Sequence, residues 1–275
     1  MKRIVVTDSS CDMNDALAKE IAIQRVPFAL TCNGNHYIDD ENMDIDAFLA
    51  DVDASDTVAQ SAAMSPQHFL DAAGDADEVF FLTISARLSS ANNSAEIAAR
   101  ELREEGRKAH VFDSKAAAAG ESAYLFRLHQ LIQQELSFEE ILAKEEEIAQ
   151  TNHTYFVLNN YGTLMKSGRL LRLAGNILTT LSVRPICCGV NGDIGLKSIA
   201  RGMDRAVMRM AEHIAAEEVP FAERTLFITH IRDVERAEQV KREILVRAPF
   251  GRVEIVEGGG LNACYANRGG IVVGF

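Results

Sequence analysis

Residues 80–95 have the sequence Phe80-Phe81-Leu82-Thr83-Ile84-Ser85-Ala86-Arg87-Leu88-Ser89-Ser90-Ala91-Asn92-Asn93-Ser94-Ala95, an apolar run followed by a hydroxyl-rich turn. The apolar run predicts a strand, and the residues from Ala91 onward predict a helix. A helix start has backbone N–H groups without partners and a partial positive charge. Serine hydroxyls placed there complete a cradle for a carboxylate or phosphate, although serine and asparagine are also ordinary helix caps. The stretch therefore predicts a strand–turn–helix unit with a candidate anion pocket.

Short β-branched or aromatic runs alternate with amphipathic stretches through the first half of the chain. The predicted strands are Ile4–Thr7, Val79–Thr83 and Ala109–Phe112, and the predicted helices are Met13–Ile21, Asp46–Val52, Pro66–Ala73, Ala91–Glu105 and Ala116–Glu135. Such alternation is typical of a parallel α/β sheet. Polar residues follow the strands at Asp8-Ser9-Ser10, Ser85 and Asp113-Ser114, so we expect ligands at the carboxyl edge of this sheet. A capping box at Ser137-Phe138-Glu139-Glu140 predicts one more helix, to about Gln150.

A second α/β unit is predicted after Asn152. Its expected elements are strands Tyr155–Leu158, Thr225–Thr229 and Val253–Val256, helices Leu170–Leu181, Arg201–Ala216 and Val234–Leu245, and a hairpin of Val183–Val190 with Ile194–Ile199 around Asn191-Gly192-Asp193. No linker rich in proline or serine separates the two units. We therefore predict two tightly packed domains, residues 1–152 and 153–275.

Composition excludes several classes of function. The 275 residues are 47% hydrophobic, which is enough for a large core. The 40 acidic and 28 basic residues give a net charge of −12, which repels phosphate backbones, so we expect no nucleic-acid partner. No apolar run reaches membrane-spanning length, and we expect no stable membrane insertion. The strand pattern that begins at Ile4 leaves no room for a secretory leader, which favours a cytoplasmic protein.

The cysteines and histidines do not have the spacing of a known site. The five cysteines include the adjacent pair Cys187-Cys188, and the seven histidines are scattered. Neither set matches a disulfide framework or a helical metal motif. We expect buried or idle thiols and no metal site.

Three segments outside the first turn contain candidate site residues. Ser65 precedes a proline and is the predicted N-cap of a helix, whereas Ser61 has no such structural role and is the better ligand contact. Arg169, in Lys166-Ser167-Gly168-Arg169, is a cation able to bind a carboxylate through two parallel hydrogen bonds. A solvated surface arginine is an equally good interpretation. Asp8 is either a general base or, as we favour, the residue that satisfies loop N–H groups.

A catalytic reading has less support. Ser89 lacks the Gly-x-Ser-x-Gly context of a nucleophile, and the best distant base, His230, fits a strand end equally well. The runs Gly258-Gly259-Gly260 and Asn267-Arg268-Gly269-Gly270 lack the spacing of a phosphate-binding loop and are interpreted as flexible turns. An enzyme acting on an acyl or phosphoryl substrate, with Ser89 as nucleophile or Asp8 as base, is the alternative to a binding protein.

The order of these motifs resembles the DegV family of bacterial fatty-acid-binding proteins, nearly end to end. The family has a strand ending in Thr-Asp-Ser-Ser or Thr, a Thr-Ser-Gln-Pro-Ser-like loop, a Ser-Ser-Gly-Leu-Ser-Gly-Thr turn, an Asp-Ser strand end, a Leu-x-x-Gly-Gly-Arg element and a Lys-Pro-Ile strand. The matching segments, in the same order, are Thr7–Ser10, Ser61–Ser65, Ser85–Ala91, Asp113-Ser114, Leu164–Arg169 and Arg184-Pro185-Ile186.

This resemblance implies a two-domain α/β fold, with a parallel sheet in the first domain and a mixed sheet in the second. One long-chain fatty acid would lie in a buried tunnel between them. Ser61 stands where the family has Thr, Ser89 and Arg169 match the family's Ser and Arg, and Ser90 replaces a Gly; these residues would hold the carboxylate. The resemblance implies a lipid carrier with no cofactor beyond the bound acid, which some members present to a fatty-acid kinase.

The chain also departs from the family pattern. Tyr265 stands where the family has histidine, and Asn267-Arg268 replaces a glycine-proline turn. A tyrosine hydroxyl still donates to a carboxylate but does not become a cation near neutral pH. Arg87 and Ser90 replace loop glycines, which would narrow the mouth of the pocket or add charge to it. A different acidic lipid or another amphiphile is therefore the alternative ligand.

Overall fold

The computed structural model describes residues 2–55, 57–170 and 183–275. In chain order, the strands are β1 (Arg3–Asp8), β2 (Ile23–Val26), β3 (Ala29–Cys32), β4 (Asn35–Ile38), β5 (Gln60–Ala62), β6 (Glu78–Thr83), β7 (Lys108–Asp113), β8 (Thr154–Val157), β9 (Val183–Val190), β10 (Asp193–Arg201), β11 (Thr225–His230), β12 (Arg252–Glu257) and β13 (Ile271–Gly274). The helices are α1 (Asp15–Glu20), α2 (Ile45–Ala54), α3 (Pro66–Ala73), α4 (Ala91–Glu104), α5 (Ala119–Gln133), α6 (Phe138–Leu142), α7 (Glu145–Gln150), α8 (Gly162–Lys166), α9 (Met203–Ala215), α10 (Val234–Leu245) and α11 (Gly260–Ala266).

A parallel sheet with the strand order β2-β1-β6-β7 forms the centre of the N-terminal part. Every residue of β6 is buried, and so are the last four of β1, as expected for parallel strands covered on both faces. The predicted strands Ile4–Thr7, Val79–Thr83 and Ala109–Phe112 are confirmed. The capping predictions also hold, because Ser65 precedes α3 with Pro66 at the first helical position, and Ser137 caps α6.

The sequence analysis missed a small antiparallel sheet with the order β4-β3-β5. Its strands have three or four residues each, too few for a periodicity to be recognised. A usable signal was the pair Asn33-Gly34 between β3 and β4, whose positive φ angles of 50° and 80° are typical of a two-residue hairpin turn. This sheet contributes Ser61, on β5, to the site described below.

The C-terminal part is a mixed sheet with the order β10-β9-β8-β13-β11-β12. Only the pair β11–β12 is parallel among its described pairings. The hairpin of β9 and β10 is confirmed, with positive φ at Asn191 and Gly192. The chain therefore has an α/β fold, with a parallel sheet in its N-terminal part and a mixed sheet in its C-terminal part. Apart from Leu170, the predicted helix Leu170–Leu181 lies outside the described residues.

Several predicted helix boundaries were wrong. Helix α5 begins at Ala119 rather than Ala116, because Lys115 and Ala118 both have a φ of 51°, which no helix accommodates. The helix predicted from Ser137 to Gln150 is two helices, α6 and α7. Arg201 ends β10, so α9 begins two residues later than predicted.

Helix α5 joins the two sheets. Its residues Ala119–Phe126 are all buried, and the apolar ones share a cluster with Phe80 and Phe112 of the parallel sheet and with Phe156 and Phe227 of the mixed sheet. The turn before α5 thus lies between the carboxyl ends of β6 and β7 and one face of the mixed sheet. None of the described helices combines the length and the apolar character needed to cross a membrane.

Candidate functional site

A cavity of about 100 Å³ lies at the carboxyl edge of the parallel sheet. One wall consists of residues directly after β6 and β7, namely Ile84 and Ala116–Ala118. The opposite wall is one face of the mixed sheet, where strand alternation places Thr154, Phe156 and Leu158 on the same side. The position of the cavity is the one predicted for the ligand, at the carboxyl ends of parallel strands.

Polar groups gather at one end of this cavity. The Ser61 hydroxyl lies 2.8 Å from the Tyr265 hydroxyl. The Arg169 guanidinium carbon is 4.8 Å from the centre of the Tyr265 ring, a cation–π contact, and Arg169 Nε donates to the carbonyl of Leu88 at 2.9 Å. Arg169 and Tyr265 line both the cavity and a surface groove that also includes Ser61 and Lys166. We call Ser61, Arg169 and Tyr265 the polar end.

The local structure around α8 directs Arg169 to this place. Helix α8 ends at Lys166, and Gly168 has a φ of +77°, a conformation that glycine adopts without strain. The N–H of Arg169 then donates to the carbonyl of Leu164 at 3.1 Å, which closes the end of the helix. The glycine before the arginine therefore turns the chain, so that the side chain of Arg169 lies against the turn after β6.

Tyr265 remains a neutral donor at this position. It is half-buried on α11, and burial raises its pKa above the ordinary value for tyrosine. A phenol with a raised pKa keeps its proton at neutral pH and can donate to an anion. With Arg169 above its ring and Ser61 beside its hydroxyl, Tyr265 is the centre of the polar end.

Ser89 and Ser90 occupy a different place. Ser89 Oγ accepts a hydrogen bond from the N–H of Ala91 at 3.2 Å, and Ser90 is exposed at the start of α4. Both serines line a surface groove that Arg169 also lines, but neither is among the described residues that line the cavity. The structure thus brings Ser61, Arg169 and Tyr265 together. Ser61 lies in one surface groove beside Arg169, and Ser89 and Ser90 lie in another, so none of the three serines lines the cavity itself. Binding roles for all five residues remain predictions.

Asp8 has the structural role that we favoured. Its two carboxyl oxygens accept hydrogen bonds from the N–H groups of Ser10 at 3.0 Å and Ile84 at 2.8 Å. Burial raises its pKa to about 7. His230, the distant candidate base, accepts a hydrogen bond from the N–H of Asp233 at 3.4 Å and lies 3.3 Å from a Glu257 oxygen. Neither residue is arranged around Ser89.

Sequence reasoning missed most of the apolar lining. It named Tyr265 but did not predict helix α11, which contains this residue. Phe156, Val272 and Ala116–Ala118 look like ordinary core residues, and periodicity cannot separate a cavity wall from a core. The glycine run Gly258-Gly259-Gly260 was interpreted as a flexible turn, but the last of these residues begins α11. In the described ranges, no three histidine, cysteine, aspartate or glutamate side chains come together as metal ligands.

Comparison with known proteins identifies the relatives of this fold. The family model described as "Uncharacterised protein, DegV family" matches residues 2–275. The chain belongs to the DegV family. It is 32% identical over 276 residues to a DegV domain-containing protein of Streptococcus pyogenes serotype M1, and the match covers 98% of each chain.

Solved DegV structures show the same fold over the whole chain. A DegV family protein from Ruminococcus gnavus, with vaccenic acid, is 30% identical, with a TM-score of 0.95 and coverage of 100% of this chain and 99% of that one. The Fatty Acid Kinase (Fak) B3 protein of Streptococcus pneumoniae, loaded with linoleic acid, is 27% identical, with a TM-score of 0.91 and the same coverage. A DegV protein from Eubacterium eligens, loaded with heptadecanoic acid, is 25% identical, with a TM-score of 0.90 and coverage of 99% and 98%.

Proposed function

We propose that this protein binds one long-chain fatty acid in the cavity, with the carboxylate at the polar end and the hydrocarbon chain along the apolar walls. The observation that carries the proposal is the cavity itself, which is apolar along β8 and has Arg169 and Tyr265 at one end. Three related DegV proteins were crystallised with vaccenic, linoleic and heptadecanoic acid, which supports the same class of ligand here.

The two parts of such a ligand suit the two parts of the site. Each buried CH₂ group contributes about 0.8 kcal/mol, so a long chain gains most of its affinity from the apolar walls. The carboxylate requires donors, and Arg169, Tyr265 and Ser61 offer a guanidinium and two hydroxyls within one cluster. The polar end therefore sets the direction in which the acid lies.

We propose supporting roles for the serines outside the cavity. Ser89 and Ser90 belong to the turn whose Leu88 carbonyl accepts the Arg169 Nε hydrogen bond. Residues of this turn and Arg169 share a surface groove beside the polar end. The two serines would bind the head group from this groove. Arg169 and Tyr265 would bind it from the cavity, and Ser61 from the second groove, which it shares with them.

We propose a lipid carrier rather than an enzyme, working in the cytoplasm without a cofactor or stable membrane insertion. The Fak B3 neighbour suggests that the partner is a fatty-acid kinase to which the carboxylate is presented. The alternative, catalysis by Ser89 or Asp8, is weaker because both Asp8 oxygens are used by backbone N–H groups. We also propose residues 1–152 and 153–275 as the two domains, since every strand of the mixed sheet lies in the second range.

Native mass spectrometry of the purified protein is the direct test. We expect a mass increase equal to one fatty acid, and release of that acid on denaturation. The delipidated protein should then take up oleic acid but not its methyl ester, which has the same chain and no carboxylate. A protein that stays free of lipid after incubation with a panel of fatty acids would contradict the proposal. Equal uptake of the ester would contradict the role of the polar end.

A further inference from the structure

Helix α11 begins against a buried carboxyl group from the N-terminal part of the chain. Asp39 follows β4 and is 3% exposed. Its Oδ1 accepts a hydrogen bond from the N–H of Gly260 at 2.5 Å. Its Oδ2 accepts from the N–H of Leu261 at 2.9 Å and from the Ser9 hydroxyl at 2.7 Å. One side chain therefore holds two consecutive N–H groups of a helix that lies more than 200 residues further along the chain.

Asp12 holds the preceding residue in the same way. Its Oδ1 accepts from the N–H of Gly259 at 2.9 Å, and its Oδ2 accepts from the Thr229 hydroxyl at 2.8 Å. The side-chain amide of Asn262 donates to the carbonyl of Ser10 at 2.8 Å. Together, the two carboxyl groups satisfy three N–H groups that a helix start leaves without partners. We call the contacts of Asp12 and Asp39 with residues 259–261 the carboxyl clasp.

The glycine run is what permits the carboxyl clasp. A Cβ atom added to Gly260 would lie 2.3 Å from Met43 Sδ and 2.9 Å from Asp39 Oδ1, closer than real contacts of this kind. At Gly259 the added atom would lie 3.1 Å from Asp39 Oδ1. The interpretation of this run as a flexible turn was therefore wrong. Its glycines let two carboxyl groups approach the backbone closely.

The carboxyl clasp and the polar end are joined by a single short helix. Helix α11 has seven residues, and Tyr265 lies five residues after Gly260. Leu261, Asn262 and Tyr265 all line the cavity. Because hydrogen bonds within so short a helix transmit the position of its first turn to its last, the placement of Gly260 and Leu261 sets the place of the Tyr265 hydroxyl. That hydroxyl must reach Ser61, on β5, at 2.8 Å.

We infer that Asp39, supported by Asp12, is a positioning residue for head-group binding: it holds the first turn of α11 so that the Tyr265 hydroxyl stands beside Ser61. Asp39 is not among the described residues that line the cavity and acts through Tyr265. Both oxygens of Asp39 accept hydrogen bonds, whereas an asparagine at this position has only one acceptor oxygen. This inference rests on the proposed fatty-acid function and names a residue that the function depends on.

A double-mutant cycle with Asp39→Asn and Tyr265→Phe separates positioning from general stability. We expect each single variant to weaken oleic acid binding about fivefold, as measured by displacement of a fluorescent fatty acid. If Asp39 acts through the Tyr265 hydroxyl, the double variant should also be about fivefold weaker than the wild type, rather than about 25-fold. Additive losses would overturn the inference, and so would unchanged binding by Asp39→Asn.

Two further variants serve as a control and as a substitute test. Asp44→Asn is the matched control, since Asp44 caps α2 by accepting from the N–H of Ala47 at 2.9 Å, and asparagine is an equally good cap. We expect it to bind like the wild type. If Asp39→Asn does not fold, Ser9→Ala removes one donor to Asp39, together with the acceptor of the Phe28 N–H, and leaves the carboxyl clasp in place. Its smaller loss should vanish in the Tyr265→Phe background, and persistence there would overturn the inference.

The inference and the proposed function fail in different ways. A wild-type protein that binds no fatty acid contradicts the proposed function, whatever the variants do. A wild-type protein that binds, together with additive or absent effects of Asp39→Asn, leaves the proposed function intact and removes only the role of Asp39.

Discussion

The two ends of the cavity are built in different ways. The polar end takes Ser61 from β5, Arg169 from the residues after α8 and Tyr265 from α11, so three separately formed elements must meet within a few ångströms. The opposite end is formed by Thr154 and Gly189, which lie on the neighbouring strands β8 and β9 of one sheet. The first end depends on docking between distant segments, whereas the second follows from regular strand pairing.

This difference indicates where the protein is sensitive. We call the end of the cavity at Thr154 and Gly189 the apolar end. Strand pairing fixes it through many backbone hydrogen bonds, so side-chain changes there alter only the space available to a ligand. The polar end is held by a few contacts, among them the carboxyl clasp of Asp12 and Asp39. Perturbing those contacts should change stability or the affinity for the head group.

The largest expected effect is on stability as a function of pH. Burial raises the pKa of Asp8 and Asp12 from 3.8 to about 7 and raises that of Asp39. A folded-state pKa above the unfolded value means that the folded protein binds more protons than the unfolded chain. The stability that these protons contribute is complete below pH 4 and is lost as the pH rises to about 7. We expect these carboxyl groups to lower the free energy of unfolding as the pH rises from 4 to 8, opposed in part by four histidines whose pKa values burial lowers, namely His129, His153, His213 and His230.

Urea unfolding at a series of pH values checks this prediction. The variant Asp12→Asn removes one of the titrating groups, so its stability should fall less steeply between pH 4 and pH 7. The control Asp44→Asn alters an exposed carboxyl group and should keep the wild-type slope in this range. A wild-type stability that rises steadily from pH 4 to pH 8 would contradict the predicted direction of the pH dependence.

The next largest effect is expected from Arg169→Ala, which removes the cation of the polar end. A hydrogen bond to a charged group contributes about 1.5 to 3 kcal/mol, so fatty-acid affinity should fall by roughly 10- to 100-fold. Displacement of a fluorescent fatty acid gives the dissociation constant. Arg100→Ala on the exposed face of α4 makes the same charge change far from the cavity and should leave binding unaltered. Equal losses in both variants would indicate a long-range charge effect.

Gly189→Leu tests the apolar end. A Cβ at Gly189 would lie 3.7 Å from Thr154 Cβ and 3.9 Å from the Lys115 carbonyl oxygen, both ordinary contacts, and we expect the rest of the leucine side chain to occupy the end of the cavity. Blocking the space of about two CH₂ groups should cost a long-chain acid about 1.6 kcal/mol. Medium-chain acids should bind as before. Val190→Leu, on the opposite face of β9, is the control. If Gly189→Leu weakens the binding of acids of every chain length equally, the substitution does not act by filling the end of the cavity.

Ser61→Ala should have a smaller effect. It removes one neutral hydroxyl from the polar end and leaves the Tyr265 hydroxyl and Arg169 in place. Loss of one such hydrogen bond costs about 1 kcal/mol, or roughly fivefold in affinity. Ser65→Ala, at the cap of α3, should instead lower stability without changing affinity. Titration of both variants with the same fatty acid, alongside thermal unfolding, distinguishes the two outcomes.

The smallest effect concerns the turn that forms one cavity wall. Ala118 has a φ of 51° and a ψ of −131°, a conformation that is costly for any residue with a Cβ atom. Ala118→Gly should therefore raise the free energy of unfolding by up to about 1 kcal/mol. Ala116→Gly lies in the same turn without a positive φ and should destabilise the protein. Thermal unfolding of the two variants decides whether the Ala118 backbone is strained.

Much of the fold could be predicted because its signals are local. The alternation of apolar runs and amphipathic stretches predicted the parallel sheet, and Asn191-Gly192 predicted the hairpin of β9 and β10. The short strands β3 to β5 were not predicted, since three or four residues are too few to show a hydrophobic period. For the site, Ser61 was predicted because it lacks an evident structural role, and Arg169 because it is a cation able to bind a carboxylate, whereas the cavity walls resemble any other core.

The sequence by itself determined the α/β class, the edge of the parallel sheet at which we predict a ligand, and the DegV resemblance that points to Arg169 and Tyr265. Only the tertiary structure decided which of the candidate residues meet, and that the glycine run before α11 is a docking surface. The reason is physical. A helix start or a strand is specified by residues a few positions apart, but the carboxyl clasp joins Asp12 and Asp39 to residues 221 to 247 positions away. Such contacts exist only once both sheets have formed and packed.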